Sequence, residues 1–273
     1  MNFFEKIKIN PIFRTIRYYP ESFKFKRLNK QREEERIKRE NGFVDERFLR
    51  IKELKNAYEG KRCFIVATGP SLLTSDLEMI KDELSFGMNS IIYLFNDTKW
   101  RPTFYGIQDV FVFDKMRNAI FENYPKKSNV FIGDNLVTDE DVASKEYIVF
   151  PFNSDYHAFE VNYRKYFFNF SDDAYGMVYD GYSITYSLIE IAVYMGFKEI
   201  YLLGCDCSYK KGAKNHVVES GHVDKYDYLN YKRMIIAYEK AKEYADKNGI
   251  SIYNTTRGGE LEVFKRVKLE DVL

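Results

Sequence analysis

The stretch "CFIVATGPSLLTSDLEMI", residues 63–80, decides the fold class. Cys63 to Ala67 make an apolar run of strand length, Thr68-Gly69-Pro70-Ser71 follow at once, and a helical pattern comes next. A strand that turns on glycine into a helix opens an α/β unit and leaves backbone N–H groups where an anion can sit. The turn has neither the spacing of a Walker loop nor G-x-G-x-x-G, which excludes a P-loop and a standard dinucleotide fingerprint.

Outward from this unit the same alternation continues. Short apolar runs fall at residues 62–68, 84–88, 103–107, 129–132, 147–150, 199–204 and 250–253. Helical patterns fall at 71–84, 114–121, 183–195 and 226–248. The last carries Met234, Ala237, Tyr238, Ala241 and Tyr244 at three- and four-residue steps, an amphipathic stripe. Strands alternating with helices predict an α/β, Rossmann-like, mostly parallel sheet with helices on both faces. We assign residues 61–273 to one catalytic domain, with a lid loop at about 207–226, and find no internal repeat. Residues 1–60 form a helical N-terminal extension whose second half is a charged, solvated connector, broken at Asn41-Gly42.

The formal net charge of +1 over 273 residues excludes a protein built for nucleic acid. The charge is uneven, with 12 Lys and Arg against 6 Asp and Glu in residues 1–40. Residues 1–30 mix eight basic side chains with Phe3, Phe4, Phe13, Tyr18, Tyr19, Phe23 and Phe25. That composition suits a peripheral contact with an anionic membrane surface. It also suits an arm packed on its own domain or on a second subunit of a homo-oligomer. The 23 Tyr and 23 Phe fit a ring-rich core or a stacking site, and AT-rich coding accounts for them as well. Cys63, Cys205 and Cys207 form no metal spacing and no disulfide framework, and read as buried thiols in a reducing compartment. No signal peptide or membrane span is evident, so the expected location is the cytoplasm, with a peripheral position at the inner face of the membrane if residues 1–30 act as an anchor.

Ligands of open α/β sheets bind beyond the C-terminal ends of the strands, which turns the strand list into a list of site candidates. After the first strand come Thr68, Gly69, Pro70 and Ser71. Here Gly69 admits close approach to the backbone, Pro70 suits a first helical position, and Ser71 can satisfy an early N–H. Asn89 ends the second strand, Asp109 the third, and Asp206 the sixth, with Tyr209 close behind. Each is an ordinary loop cap when taken alone; together they are directed toward one crevice. Ser183 and Thr185 open the helix over 183–195 and can face a phosphate or carboxylate. His216 and His222 lie in the loop before the last helix, where an imidazole suits a general base near neutral pH. Surface histidines without a role are the plain alternative, and His157 falls outside the pattern.

Several segments resemble a known group. "VATGPSLL", "MNS", "ITYSLIEIAVYMGFKEIYLLGCD" and the downstream "GH" are similar to segments of the bacterial sialyltransferases of lipooligosaccharide synthesis. The chain looks closer still to the MptE-like group, which includes flagellin-glycosylating motility accessory factors and archaeal 6-hydroxymethylpterin diphosphokinases. The tail "NGISIYNTTRGGELEVFKRV" fits that group too, and the resemblance covers roughly residues 60–267. It implies a CMP-activated sugar donor at Thr68–Ser71 and Asn89, with its phosphate or carboxylate near Ser183 and Thr185. It implies His222 as the base for an acceptor hydroxyl, with His216 as the competing choice. Tyr209 and Tyr226 would steady the departing phosphate with no cofactor required. Thr68 and Asp109 stand where those sialyltransferases have Asn, which favours the MptE-like side and leaves room for Mg²⁺ at Asp109 or Asp206.

The expected function is therefore a glycosyltransferase of bacterial surface-glycan synthesis. It would transfer a sialic or other nonulosonic acid, with inversion, to a glycan or glycolipid acceptor. The alternatives are a Mg²⁺-dependent diphosphotransferase of the hydroxymethylpterin type and a non-catalytic glycan-assembly protein.

Overall fold

A computed structural model describes residues 11–124, 127–138, 146–157, 167–208, 216–218 and 227–273. Its centre is a sheet of eight strands, all paired in parallel. The strands are Arg62–Val66 (β1), Ser85–Met88 (β2), Phe104–Ile107 (β3), Val130–Gly133 (β4) and Ile148–Phe150 (β5). After a two-strand parallel pair, Phe152–Asn153 (β6) and Val178–Tyr179 (β7), come Glu199–Leu203 (β8), Ser251–Asn254 (β9) and Lys265–Arg266 (β10). The order across the large sheet is β10-β9-β8-β1-β2-β3-β4-β5. The chain thus winds outward from β1 to β5, then returns and winds the other way from β8.

Successive side chains of a strand point to opposite faces, and the apolar runs use both. From β1, Cys63 and Ile65 enter one core while Phe64 and Val66 enter the other. The first core is closed by the helices Ile184–Tyr194 (α5) and Asp227–Lys247 (α6), whose Leu188, Ile191, Ala237 and Tyr238 pack onto the sheet. The second is closed by the helices Thr74–Met79 (α3) and Val110–Asn123 (α4), through Leu77, Met116 and Ile120. This is the Rossmann-like layering that the alternation predicts.

Two expectations are corrected. The helical pattern at 71–84 holds a helix only over Thr74–Met79, so Pro70 is exposed outside it. The helix starts late because Leu73 N–H donates to Asp76 Oδ2 (3.2 Å), and Ser71 is engaged elsewhere. The charged segment is also not a solvated connector. The helix Pro11–Glu40 (α1) ends before Gly42 (φ +95°), as the break predicts, but its second half is bound to the sheet domain. Asn153 Nδ2 donates to Asn29 Oδ1 (2.9 Å), Arg32 pairs with Asp134 (2.6 Å), and Tyr179 Oη donates to Glu33 (2.9 Å). Arg39 is buried, donating to Gly176 O (2.8 Å) and pairing with Asp45 (3.3 Å). Just beyond, the short helix Leu49–Lys52 (α2) and the turn before it bury Ile51 and Phe48 in the first core. Charged residues that read as a solvated face are there to satisfy one another and the β6–β7 pair.

Candidate functional site

The winding reverses between β1 and β8, and a crevice at such a switch point is where open α/β sheets take ligands. There the sequence puts Thr68–Ser71 beside Cys205–Cys207. Gly69 N–H donates to Gly204 O (2.8 Å), and a methyl group at Gly69 would overlap both Asp206 Oδ2 and Gly204 O. Ser71 Oγ donates to Asp206 Oδ2 (2.8 Å), so Asp206 ties the two strand ends together. The segment 216–218 crosses this turn. Val217 N–H donates to Thr68 O (2.7 Å), His216 Nδ1 lies 3.0 Å from Thr68 Oγ1, and Ser90 Oγ donates to Val218 O. From below, Gly259 (φ +80°) presses its backbone against Asp206, whose carbonyl accepts Glu260 N–H (2.6 Å). Arg257 fixes that segment through a two-nitrogen pair with buried Asp76 (2.6 and 3.0 Å).

The rest of the rim runs toward β3 and β7. Asp109 caps α4, accepting from Val112 N–H (2.9 Å). Ser183 caps α5, accepting from Thr185 N–H (3.2 Å). Asn89 has φ +47°, and its buried Oδ1 has no hydrogen-bond partner; its carbonyl accepts from Tyr105 Oη. Gln108, also buried, points Nε2 toward Asp180 Oδ1 (3.5 Å) and leaves Oε1 without a partner. Asp180 Oδ1 accepts from Tyr182 N–H (2.8 Å), and Oδ2 lies 3.8 Å from His157 Nε2. Burial, opposed by the Tyr182 N–H and reinforced by the nearby Asp109 charge, pushes the Asp180 carboxyl up to about 7. Burial likewise pushes His157 down to about 4. Among the described residues, three of the four non-glycine residues in the left-handed region, Asn89, Tyr182 (φ +61°) and Cys207 (φ +49°), sit on this one rim. Strained backbone gathered in one place is what a ligand site tends to retain.

A sequence model of the family described as "6-hydroxymethylpterin diphosphokinase MptE-like" matches residues 44–212, more than half of the chain. The chain belongs to the MptE-like family. No curated protein matches this MptE-like chain by sequence. Its fold is similar to that of the Maf glycosyltransferase from Magnetospirillum magneticum AMB-1, with a TM-score of 0.50 and 16% identity. The similarity covers 82% of this chain and 38% of that one, so the MptE-like chain spans well under half of the larger protein's length. A weaker similarity links it to the sialyltransferase CstII from Campylobacter jejuni, solved with the substrate analogue cytidine-5'-monophosphate. That match has a TM-score of 0.44 and 16% identity, and covers 77% of this chain and 85% of that one.

Within the MptE-like chain the crevice brings together Thr68, Gly69, Ser71, Asp206 and His216, with Asn89, Asp109 and Ser183 further along the rim. Pro70 is exposed on the turn. Thr185 does not face the crevice: it is buried, and its hydroxyl donates to Met88 Sδ (3.4 Å) in the core. Tyr209, His222 and Tyr226 lie outside the described residues. Asp109 and Asp206 follow strands three positions apart, about 14 Å by the spacing of a sheet, too far to share one ion. Among the described residues no three His, Cys, Asp or Glu side chains group as a metal site. Asp180, Gln108 and His157 are the residues that sequence reasoning missed or set aside. The available signal was the position of Asp180 three residues before the Ser183 cap, at the mouth of the same helix. The three cysteines are buried, and burial raises the thiols of Cys63 and Cys205 well above their ordinary range, so they are core residues.

Proposed function

We propose that the chain is a glycosyltransferase of bacterial surface-glycan synthesis. Its donor is a CMP-activated sugar, a sialic or other nonulosonic acid, and its acceptor is a hydroxyl of a glycan or glycolipid. The observation that carries this reading is the turn 68–71 at the β1–β8 switch, with Gly69 packed against Asp206 and His216 laid over Thr68. Motif segments similar to those of the sialyltransferases support the donor class. A fold shared with a protein described as a glycosyltransferase agrees with the reaction class.

In this reading the nucleotide phosphate lies along the turn, and His216 and Thr68 orient it. The acidic sugar extends toward Ser183 at the start of α5, where the helix end favours negative charge. The acceptor oxygen attacks the anomeric carbon as the bond to the phosphate oxygen breaks, and the leaving nucleotide keeps the electron pair. His216 and His222 are the histidines to test as base.

The family description also names a diphosphokinase. Diphosphate transfer from ATP would need Mg²⁺, with Asp109 or Asp206 to hold it, yet Asp206 is bonded to Ser71 and Asp109 caps α4. A thermal-shift panel of CMP, CDP, UDP, GDP and ATP, each with and without Mg²⁺, separates the readings. CMP is expected to stabilise the protein without metal; ATP binding that requires Mg²⁺ would replace this reading with the diphosphokinase one. Silence throughout would favour a non-catalytic assembly role.

No described helix is long and apolar enough to cross a membrane. In the same reading the enzyme works at the inner face of the membrane, which the exposed face of α1 supports: Phe23 is 74% exposed among exposed Lys24, Lys26, Arg27 and Lys30. Deleting residues 1–30 should abolish co-sedimentation with anionic vesicles, and unchanged co-sedimentation would remove this element.

A further inference from the structure

We propose that Asp180 is the catalytic base of the transfer and that His157, directly behind it, is its positioning residue. The proposal rests on the glycosyltransferase reading and gives the base's role to a carboxylate in place of the two histidines that the motifs offer.

The carboxylate is placed for this task. Its side chain is 16% exposed, directly after β7 and within reach of Gln108 at the end of β3, so it is enclosed but still open to a ligand hydroxyl. The backbone around it cannot swing: Asp180 N–H donates to Asn153 O (3.1 Å), and Asp180 O accepts from Tyr156 Oη (2.7 Å). One carboxylate oxygen is held by Tyr182 N–H, with the Gln108 amide nearby, and the other is turned to His157. His157 is 3% exposed, stacked on Tyr156 at 4.2 Å and flanked by Tyr182 and Phe168. Its Nδ1 lies 3.1 Å from Ser154 O, a pure acceptor, so Nδ1 carries the proton and Nε2 presents a lone pair toward Asp180 Oδ2. Nε2 has no hydrogen-bond partner. A carboxyl that has just gained a proton finds its acceptor there.

The step balances as follows. The acceptor O–H gives its proton to the Asp180 carboxylate while its oxygen bonds to the anomeric carbon, and the carbon–phosphate oxygen bond breaks with its electrons leaving on the nucleotide. The protonated carboxyl then turns O–H toward His157 Nε2. Gln108 Oε1 and Asn89 Oδ1, buried without partners on the same rim, are acceptors for further hydroxyls of the ligand. Among the described residues, the groups that act on Asp180 or on His157 beside it are Asp109 at the start of α4, Glu190 and Tyr186 on α5, Tyr156 after β6, and Arg233 on α6. Arg233 reaches over the Tyr182 ring at 4.9 Å and acts on His157. Only Arg233 among them carries positive charge.

The test uses the full chain, CMP for calorimetry, and CMP-N-acetylneuraminate as donor, following released CMP against pH. Asp180→Asn keeps an oxygen for Tyr182 N–H and should bind CMP as the wild type does. Its kcat should fall about 100-fold or more with KM little changed, because a positioned base is worth that much. The wild-type rate should rise with pH through a limb near 7, and the Asn variant should lack that limb. His157→Phe keeps the ring stack, removes the lone pair, and should displace the limb without abolishing it. A limb and kcat unchanged in Asp180→Asn, or lost instead in His216→Ala or His222→Ala, would overturn the assignment. So would an Asn variant that only loses CMP affinity. If the Asn variant does not fold, an unmoved limb in His157→Phe overturns it alone. A wild type that does not bind CMP fails the glycosyltransferase reading itself, which calorimetry reports separately from the kinetics.

Discussion

At the residue scale the rim mixes groups that hold the site together with groups left unsatisfied within it. Asp206 was singled out as a ligand contact, yet its carboxylate is committed to Ser71 and its backbone to Glu260. Asp180 is the reverse case, an unremarkable letter in the sequence that the fold turns into a buried acid beside a neutral histidine. Its perturbation comes from residues 108, 109, 157 and 182, which no local pattern connects. Folding raises the Asp180 carboxyl from its ordinary value to about 7, so the native state holds a proton that the unfolded chain has lost between about pH 4 and pH 7. Stability is therefore greatest from this group at low pH and declines as pH rises to about 7. His157 acts in the opposite sense, with stability present above its unfolded value and lost as pH falls toward about 4. The His157 contribution is common to the wild type and Asp180→Asn, and cancels in their difference. Asp180→Asn should accordingly gain about 2–4 kcal/mol relative to the wild type between pH 4 and pH 8. Urea denaturation at the two pH values measures this, and a pH-independent difference would contradict it.

At the element scale, α5 does more than cover the sheet. Glu190, buried in its middle, accepts Ser171 N–H (2.6 Å) and Tyr179 N–H (2.7 Å), and burial keeps its carboxyl well above the usual range. One side chain thus fixes β7 one residue before Asp180. Glu190→Ala would leave two buried N–H groups unpaired and should cost about 3–5 kcal/mol, while Glu190→Gln, which keeps one acceptor, should cost about half of that. Equal losses for both in urea denaturation would refute this role. Seven of the eight strands of the large sheet were legible in the sequence to within about two residues, because most are short apolar runs buried on both faces; β10, two partly exposed basic residues, was not. The β6–β7 pair was not, since two-residue strands carry no periodicity. Nor was the anchoring of α1, because charges at Arg32, Glu33 and Arg39 look alike whether they face water or a partner.

At the scale of the whole molecule, the order β10-β9-β8-β1-β2-β3-β4-β5 decides where the crevice lies. The reversal at β1 and β8 gathers residues 68–71, 205–207 and 216–218 into one crevice, and α5 aims its capped end at the neighbouring rim. The strand-end rule needs only strand boundaries, which is why residues 68–71, 89, 109 and 206 could be read from the sequence as lying at strand ends. It could not say which of the candidate residues, like Thr185, turn into the core. The proposed transfer requires the nucleotide to lie at the β1–β8 switch. Hydrogen exchange of the full chain with and without CMP locates it directly. Protection is predicted at the amides of Thr68, Gly69, Ser71 and Asn89, with 216–218 slowed alongside. Protection confined to other strand ends, or none under saturating CMP, would contradict the account.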